Sequence, residues 1–219
     1  MDRYTIGFVA AGSLMSMVFL VVVNYLTSPD FMWFLYPVFA LLVWSISWIF
    51  LMQRKHKLHS VLCSLLIIVF LIVINYLHSP DHPWFLYAIF PIVWWPVSTL
   101  FGKKAKTLPF ACIASLCTIV YYSILNIYIS PPYPWAIYPA YAVLCWPLAL
   151  YYVQNRNYFG LSISASFLTI LFFITVNLVS SPGTIWAIYP IFLILWWPLS
   201  MYYYHFKKAQ LHASTKEKY

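Results

Sequence analysis

Four stretches of this chain carry the same residues at the same spacing. Asn24, Ser28, Pro29, Trp33, Tyr36 and Trp44 are matched by Asn75, Ser79, Pro80, Trp84, Tyr87 and Trp95. They are matched again by Asn126, Ser130, Pro131, Trp135, Tyr138 and Trp146, and last by Asn177, Ser181, Pro182, Trp186, Tyr189 and Trp197. Every step is 51 residues, with no insertion or deletion. A fixed period of this kind marks a repeat architecture, in which one supersecondary unit is stacked on itself.

What lies between the motifs says which solvent the unit folds in. Of the 219 residues, 64% are hydrophobic and only 7% charged, where a soluble domain carries about 25% charged residues. Eight apolar stretches can be drawn, roughly Tyr4–Leu26, Tyr36–Met52, Leu58–Leu77, Phe85–Phe101, Leu108–Ile129, Ala136–Val153, Phe159–Val179 and Ala187–Phe206. Each matches the ~20 residues a helix needs to cross a ~30 Å hydrocarbon core. They are continuously apolar rather than alternating, which argues for helices and against barrel strands. The first stretch is too long for a signal peptide and no polar cleavage region follows it, so it reads as a span that stays.

The connections alternate in kind. Gln53–Lys57, Gly102–Lys106 and Gln154–Asn157 are basic, whereas no copy of the Ser-Pro motif contains Lys or Arg. All 12 basic residues thus fall on one side, together with both termini. By lysine and arginine bias that side is the cytoplasm. The expected fold class is an all-α integral membrane protein of eight transmembrane helices, arranged as four tandem hairpins. The membrane domain covers residues 1–206, with repeats at about 4–54, 55–105, 106–156 and 157–206. Residues 207–219 form a basic cytoplasmic tail. An even number of spans per repeat gives every repeat the same direction, so the repeats are related by an axis along the membrane normal, unlike inverted-repeat transporters.

The motif itself predicts a turn. Proline cannot continue a helix and disfavours helical backbone in the residue before it. Ser28, Ser79, Ser130 and Ser181 are expected as N-caps, with Pro29, Pro80, Pro131 and Pro182 at the first position of a short helical turn. Trp33, Trp84, Trp135 and Trp186 are expected as anchors at the outer headgroup level. Asn24, Asn75, Asn126 and Asn177 are expected to close their own hairpins; the alternative is a polar ring of four amides, a ligand or water site. Trp44, Trp95, Trp146 and Trp197 fall near mid-membrane, and Pro96, Pro147 and Pro198 follow three of them. A proline there kinks the helix, and neighbouring helices can satisfy the freed carbonyl.

The pattern Asn-x-x-x-Ser-Pro-x-x-x-Trp-x-x-Tyr-Pro between two apolar helices resembles the bacterial two-transmembrane (2TM) domain, a helical hairpin often appended to sensor kinases and DNA-binding regulators. The resemblance covers nearly the whole chain as four tandem hairpins. It implies a multi-pass protein of the bacterial plasma membrane. The chain departs from the usual arrangement in having no kinase or helix-turn-helix part.

For function, the sequence favours a non-enzymatic sensing or interaction module that meets membrane lipids and another membrane protein. The alternative is a translocator of an apolar or lipid-like substrate. Ion- or proton-coupled carriers keep ionisable residues inside the membrane, and none stands in mid-span here. Channels built from four two-helix units need a filter loop, for which the Ser-Pro turn is too short. Nucleic acid is excluded as a partner, because the net charge of +8 comes from loops rather than a soluble basic face. His78, Asp81 and His82 form the one local set with metal-ligand chemistry, but the other copies lack it, and it reads as a wet turn. His56, His59, His205 and His212 read as interfacial residues. Cys63, Cys112, Cys117 and Cys145 read as small packing residues. No catalytic set, metal or cofactor is expected.

Overall fold

The computed structural model describes residues 3–207, and there the chain is helical with no strand. Eight α-helices follow one another: α1 (Arg3–Thr27), α2 (Leu35–Met52), α3 (His56–His78), α4 (Phe85–Phe101), α5 (Leu108–Ile129), α6 (Ile137–Gln154), α7 (Tyr158–Ser180) and α8 (Ile188–Tyr202). A 3₁₀ segment, Gly102–Lys106, links α4 to α5, and a π-helical segment, Tyr203–Lys207, extends α8. The chain divides into two compact units that meet at Gly102–Lys103. In the first, α1 packs on α2, α2 on α3 and α3 on α4; in the second, α5 packs on α6, α6 on α7 and α7 on α8. Of the tail expected at 207–219, only Lys207 lies within the described residues, its ammonium 5.0 Å from the centre of the Tyr203 ring.

Six helices are long and apolar enough to cross a membrane: α1, α2, α3, α4 with its 3₁₀ extension, α5 and α7. The other two differ for identifiable reasons. The polar ends of Tyr138, Tyr141, Tyr151 and Tyr152, with Pro139, Pro147 and Gln154, lower the hydropathy of α6. α8 is apolar but has only 15 residues before its π segment.

Burial is inverted relative to a water-soluble core. The most enclosed side chains are small or polar: Ser60, Cys63 and Ser64 on α3, Ala111 and Ser115 on α5, Ser162 and Ser166 on α7. Large apolar side chains such as Phe8, Ile113 and Phe167 stand on the surface. In water the hydrophobic effect would reverse this order. Lipid removes that drive, and helices then associate through small residues that let their backbones approach. Among the described residues the buried ones sit on the odd-numbered helices, apart from Ala187 in the fourth turn; α2, α4, α6 and α8 contain none. The cysteines do not follow this division: Cys63 on α3 is buried and Cys145 on α6 half-buried, whereas Cys112 and Cys117 on α5 are exposed and do not pack within the chain.

The connections α2–α3 and α6–α7 are built alike. Arg54 N–H donates to the Leu51 carbonyl and Lys55 N–H to the Phe50 carbonyl; Arg156 and Asn157 repeat this with Val153 and Tyr152. These paired bonds form the Schellman helix stop, whose turning residue is left-handed. Here that residue is an arginine both times, with φ of 55° at Arg54 and 52° at Arg156.

Candidate functional site

The four Ser-Pro turns are the most regular polar feature of the molecule. Each odd helix ends at the serine because the following proline offers no N–H and keeps that serine out of the helical region. The serine φ is −150° at Ser79, −142° at Ser130 and −153° at Ser181. Its N–H still reaches back to the asparagine carbonyl, at 2.9, 2.7, 3.2 and 3.0 Å in chain order.

The asparagine side chain then ties the end of one helix to the start of the next. Asn24 Nδ2 donates to the carbonyls of Ser28 (2.6 Å) and Phe31 (3.0 Å), while its Oδ1 accepts from Phe34 N–H (3.0 Å). Asn75 does the same with Ser79, His82 and Phe85 (2.6, 2.9 and 3.4 Å). Asn126 takes Ser130, Tyr133 and Ala136 (2.8, 2.8 and 2.9 Å). Asn177 takes Ser181, Thr184 and Ala187 (2.9, 2.7 and 2.9 Å). All four amides are buried. An amide NH₂ has two protons and an amide oxygen two lone pairs. Both protons of every asparagine are therefore spent inside its own turn.

The expected serine N-cap is not there. The N-caps of the following helices are Phe34, Trp84, Ala136 and Ala187, none with a side-chain bond. The serine is instead the C-cap of the preceding helix, and its backbone meets the asparagine. Nor does the proline open a helical turn. Pro29, Pro80 and Pro182 are exposed at the second position of four-residue turns closed by Phe31, His82 and Thr184 N–H on the serine carbonyl, where proline's fixed φ is favoured. Pro131 is likewise exposed. In the first three turns a tighter three-residue turn follows, with Trp33, Trp84 and Trp135 N–H on the carbonyl two residues back. This second turn fixes the start of the next helix, and the sequence reading missed it.

The turn tryptophans are half-buried. Trp135 stands edge-on to Tyr122 and Trp186 to Phe173, at 5.8 and 6.2 Å between ring centres. In the third turn the Tyr133 and Tyr138 hydroxyls share a 2.7 Å hydrogen bond, which raises the Tyr133 phenol above its ordinary pKa.

Beside the third and fourth turns lie two open apolar grooves of about 390 and 370 Å³. Asn126, Pro131 and Ile137 line the first, and Asn177, Pro182 and Ile188 the second. With the amide protons already engaged, the grooves offer apolar contact and no side-chain amide donor.

At the other end of the first unit the structure assembles a polar cluster that sequence reasoning passed over. His59 is buried, not interfacial. Its Nε2 lies 3.0 Å from Ser47 Oγ, and Ser47 Oγ lies 3.7 Å from Cys63 Sγ. Its ring is edge-on to Trp95 at 5.5 Å. His59 and Cys63 are four residues apart and so share a helix face; that spacing was the available signal. By contrast, among the described residues no three of His, Cys, Asp and Glu gather as metal ligands. The His78, Asp81 and His82 set therefore does not converge: His78 faces Phe31 and His82 faces Tyr87. The side chain of His205 and the whole of His212 lie outside the described residues.

No family model, no curated protein and no solved structure matches the chain.

Proposed function

We propose that the chain is an eight-span protein of a bacterial plasma membrane that works as a non-enzymatic interaction module, four tandem hairpins presenting apolar faces to lipid and to a membrane partner. The observation that carries this reading is where the polar groups go. The asparagine amides, the buried serines of α3, α5 and α7, and the turn carbonyls are engaged inside their own hairpins, while the large apolar side chains face outward. Such a body has much outer surface for apolar contact and little polar interior for a solute to cross.

Eight spans fit the lengths. α6 has 18 residues, about 27 Å at 1.5 Å per residue. α8 with its π extension reaches roughly 30 Å, and a local thinning of the bilayer offsets any shortfall at modest cost. The basic connections then lie in the cytoplasm with both termini. Lysines there gain about 1 kcal/mol each near an anionic leaflet, which makes membrane lipids part of the partner set.

The matched grooves beside Asn126 and Asn177 favour the second reading, a translocator of lipid-like molecules, because each is apolar and open. Reconstitution separates the two. Purified protein in vesicles with one leaflet labelled should leave a fluorescent phospholipid where it was placed. Accelerated exchange between leaflets would reject the interaction module and establish translocation. Release of the protein from membranes by alkaline carbonate would reject both.

A further inference from the structure

The same aromatic joint is built in both units. On α2, Phe39 stacks on Phe70 of α3 with ring centres 3.9 Å apart, and Tyr36 meets Phe70 edge-on at 6.0 Å. On α6, Tyr141 stacks on Phe172 of α7 at 4.2 Å, and Tyr138 meets Phe172 edge-on at 5.8 Å. Each joint thus has a two-ring face on an even helix and a single ring on the next odd helix. Stacked and edge-on contacts of this kind gain beyond the area they bury.

Counting by the 51-residue period shows what the chain leaves over. One period before Phe70 stands Phe19 on α1, 65% exposed. One period after Tyr138 and Tyr141 stand Tyr189 and Phe192 on α8, 73% and 61% exposed, against 42% for Tyr138 in its joint. The chain begins with the single-ring face and ends with the two-ring face. Both faces continue along their helices: Phe8 and Met15 are exposed at helical spacing from Phe19, as are Trp196 and Tyr203 from Phe192.

We propose that these two faces join head to tail with a second copy of this chain, α8 of one against α1 of the next. The inference rests on the membrane reading above in one respect: copies inserted in the same direction present α8 and α1 antiparallel, as α2 and α3 are. The contact would repeat the existing joint, with Tyr189 and Phe192 closing on Phe19 of the next copy. It is heterologous, so it extends into a ring or a row of copies rather than a two-fold dimer.

Cross-linking tests it in full-length chains whose four cysteines are replaced by alanine. One chain carries Phe19→Cys and a differently tagged chain carries Phe192→Cys. They are co-expressed and treated in membranes with a short bismaleimide. The expected product is a cross-linked pair holding both tags, several-fold above the pairs formed when either chain is expressed alone. A chain carrying Phe39→Cys and Phe70→Cys is the control and should cross-link within itself. If the control reacts and the mixed pair does not form, the head-to-tail contact is wrong while the membrane reading stands. Equal pairing by Phe19→Cys chains alone would also overturn it, as would a chain with both outer cysteines that links only to itself. If the control fails too, the joint used as template is absent and the proposal falls with it. As a readout free of cysteines, the wild-type chain in lipid nanodiscs should have the mass of more than one copy, and Phe192→Ala should shift it toward one; a wild-type mass of a single copy overturns the contact.

Discussion

The Ser64 hydroxyl on α3 donates to the Ile92 carbonyl on α4 at 3.2 Å, and Ile92 stands four residues before Pro96. Proline has no N–H, so the carbonyl four residues back loses its helical partner. Ser64 supplies the missing donor from the neighbouring helix. The relation recurs at Ser115 and Val143 before Pro147 (2.8 Å), and at Ser166 and Ile194 before Pro198 (3.4 Å). The first hairpin is the internal control. It has Ser45 in place of the proline, and its carbonyl at Leu41 accepts from Ser45 Oγ at 2.8 Å, within the same helix. The donor crosses where the proline has created a need for it.

Ser115→Ala should therefore cost about 1 kcal/mol, within the range of polar bonds between membrane helices. In a Pro147→Ala background the same change should cost close to nothing, because an alanine at that position restores the backbone N–H that the Val143 carbonyl lacks. The measurement is a double-mutant cycle of unfolding in detergent. Additive losses would show that the serine acts by size alone.

The asparagine clamp predicts an unusual ranking at one turn. Asn75→Ala takes one of two donors from the Ser79 and His82 carbonyls, which keep the His82 and Trp84 N–H groups, and leaves the Phe85 N–H without its acceptor; an unsatisfied buried group costs about 1–3 kcal/mol. A loss of about 1–3 kcal/mol is expected. Asn75→Asp keeps the shape but turns an acceptor toward the Ser79 and His82 carbonyls, and should be at least as damaging. Ser79→Ala should stay within about 0.5 kcal/mol, since only the serine backbone is used. Melting curves in which Ser79→Ala matched Asn75→Ala would restore the serine cap.

The helices were legible because nothing but a helix satisfies twenty apolar residues in a row, and their bounds fell within a few residues of expectation. The turn was legible only as a place. Ser-Pro has two readings, as the start of one helix or the end of another, and proline forbids the continuation without saying which helix keeps the serine. The backbone carbonyls decided it: Ser28 and Phe31 lie within reach of one amide, a three-dimensional fact that the residue spacing does not contain. His59 misled for the opposite reason. It stands four residues into α3, next to a basic loop, yet Ser47 and Trp95 arrive from two other helices and enclose it.

Left-handed backbone costs an L-residue roughly 1–2 kcal/mol relative to glycine. Arg54 and Arg156 both hold it, at the Schellman position where glycine is usual. Arg54→Gly and Arg156→Gly are expected to raise unfolding stability, by up to about 1 kcal/mol each after the flexibility that glycine adds to the unfolded chain. Gly102 has φ 55° with ψ −118°, a region open to glycine alone. Gly102→Ala should therefore destabilise although its Cβ would meet open space. Unfolding midpoints in detergent check all three signs.

The arginines have a second role to test, in the orientation proposed for the chain. With the basic connections inside, a cysteine at Asp30, Asp81, Tyr133 or Gly183 should react with an impermeant maleimide on intact cells. One at Lys55, Lys104 or Arg156 should react only after lysis. Exposed Cys112 and Cys117 must be removed first, as must Cys63 and Cys145. The informative pair is Tyr133 and Arg156, which flank α6, the helix whose tyrosines lower its hydropathy most. If α6 crosses, the two label on opposite sides and eight spans stand. If both label on one side, α6 lies at the surface and the direction of α7 must reverse for the rest of the chain. Replacing Arg54 and Arg156 with glycine in this assay separates their two roles: unchanged labelling with higher stability assigns them to backbone alone, and mixed labelling assigns them to orientation.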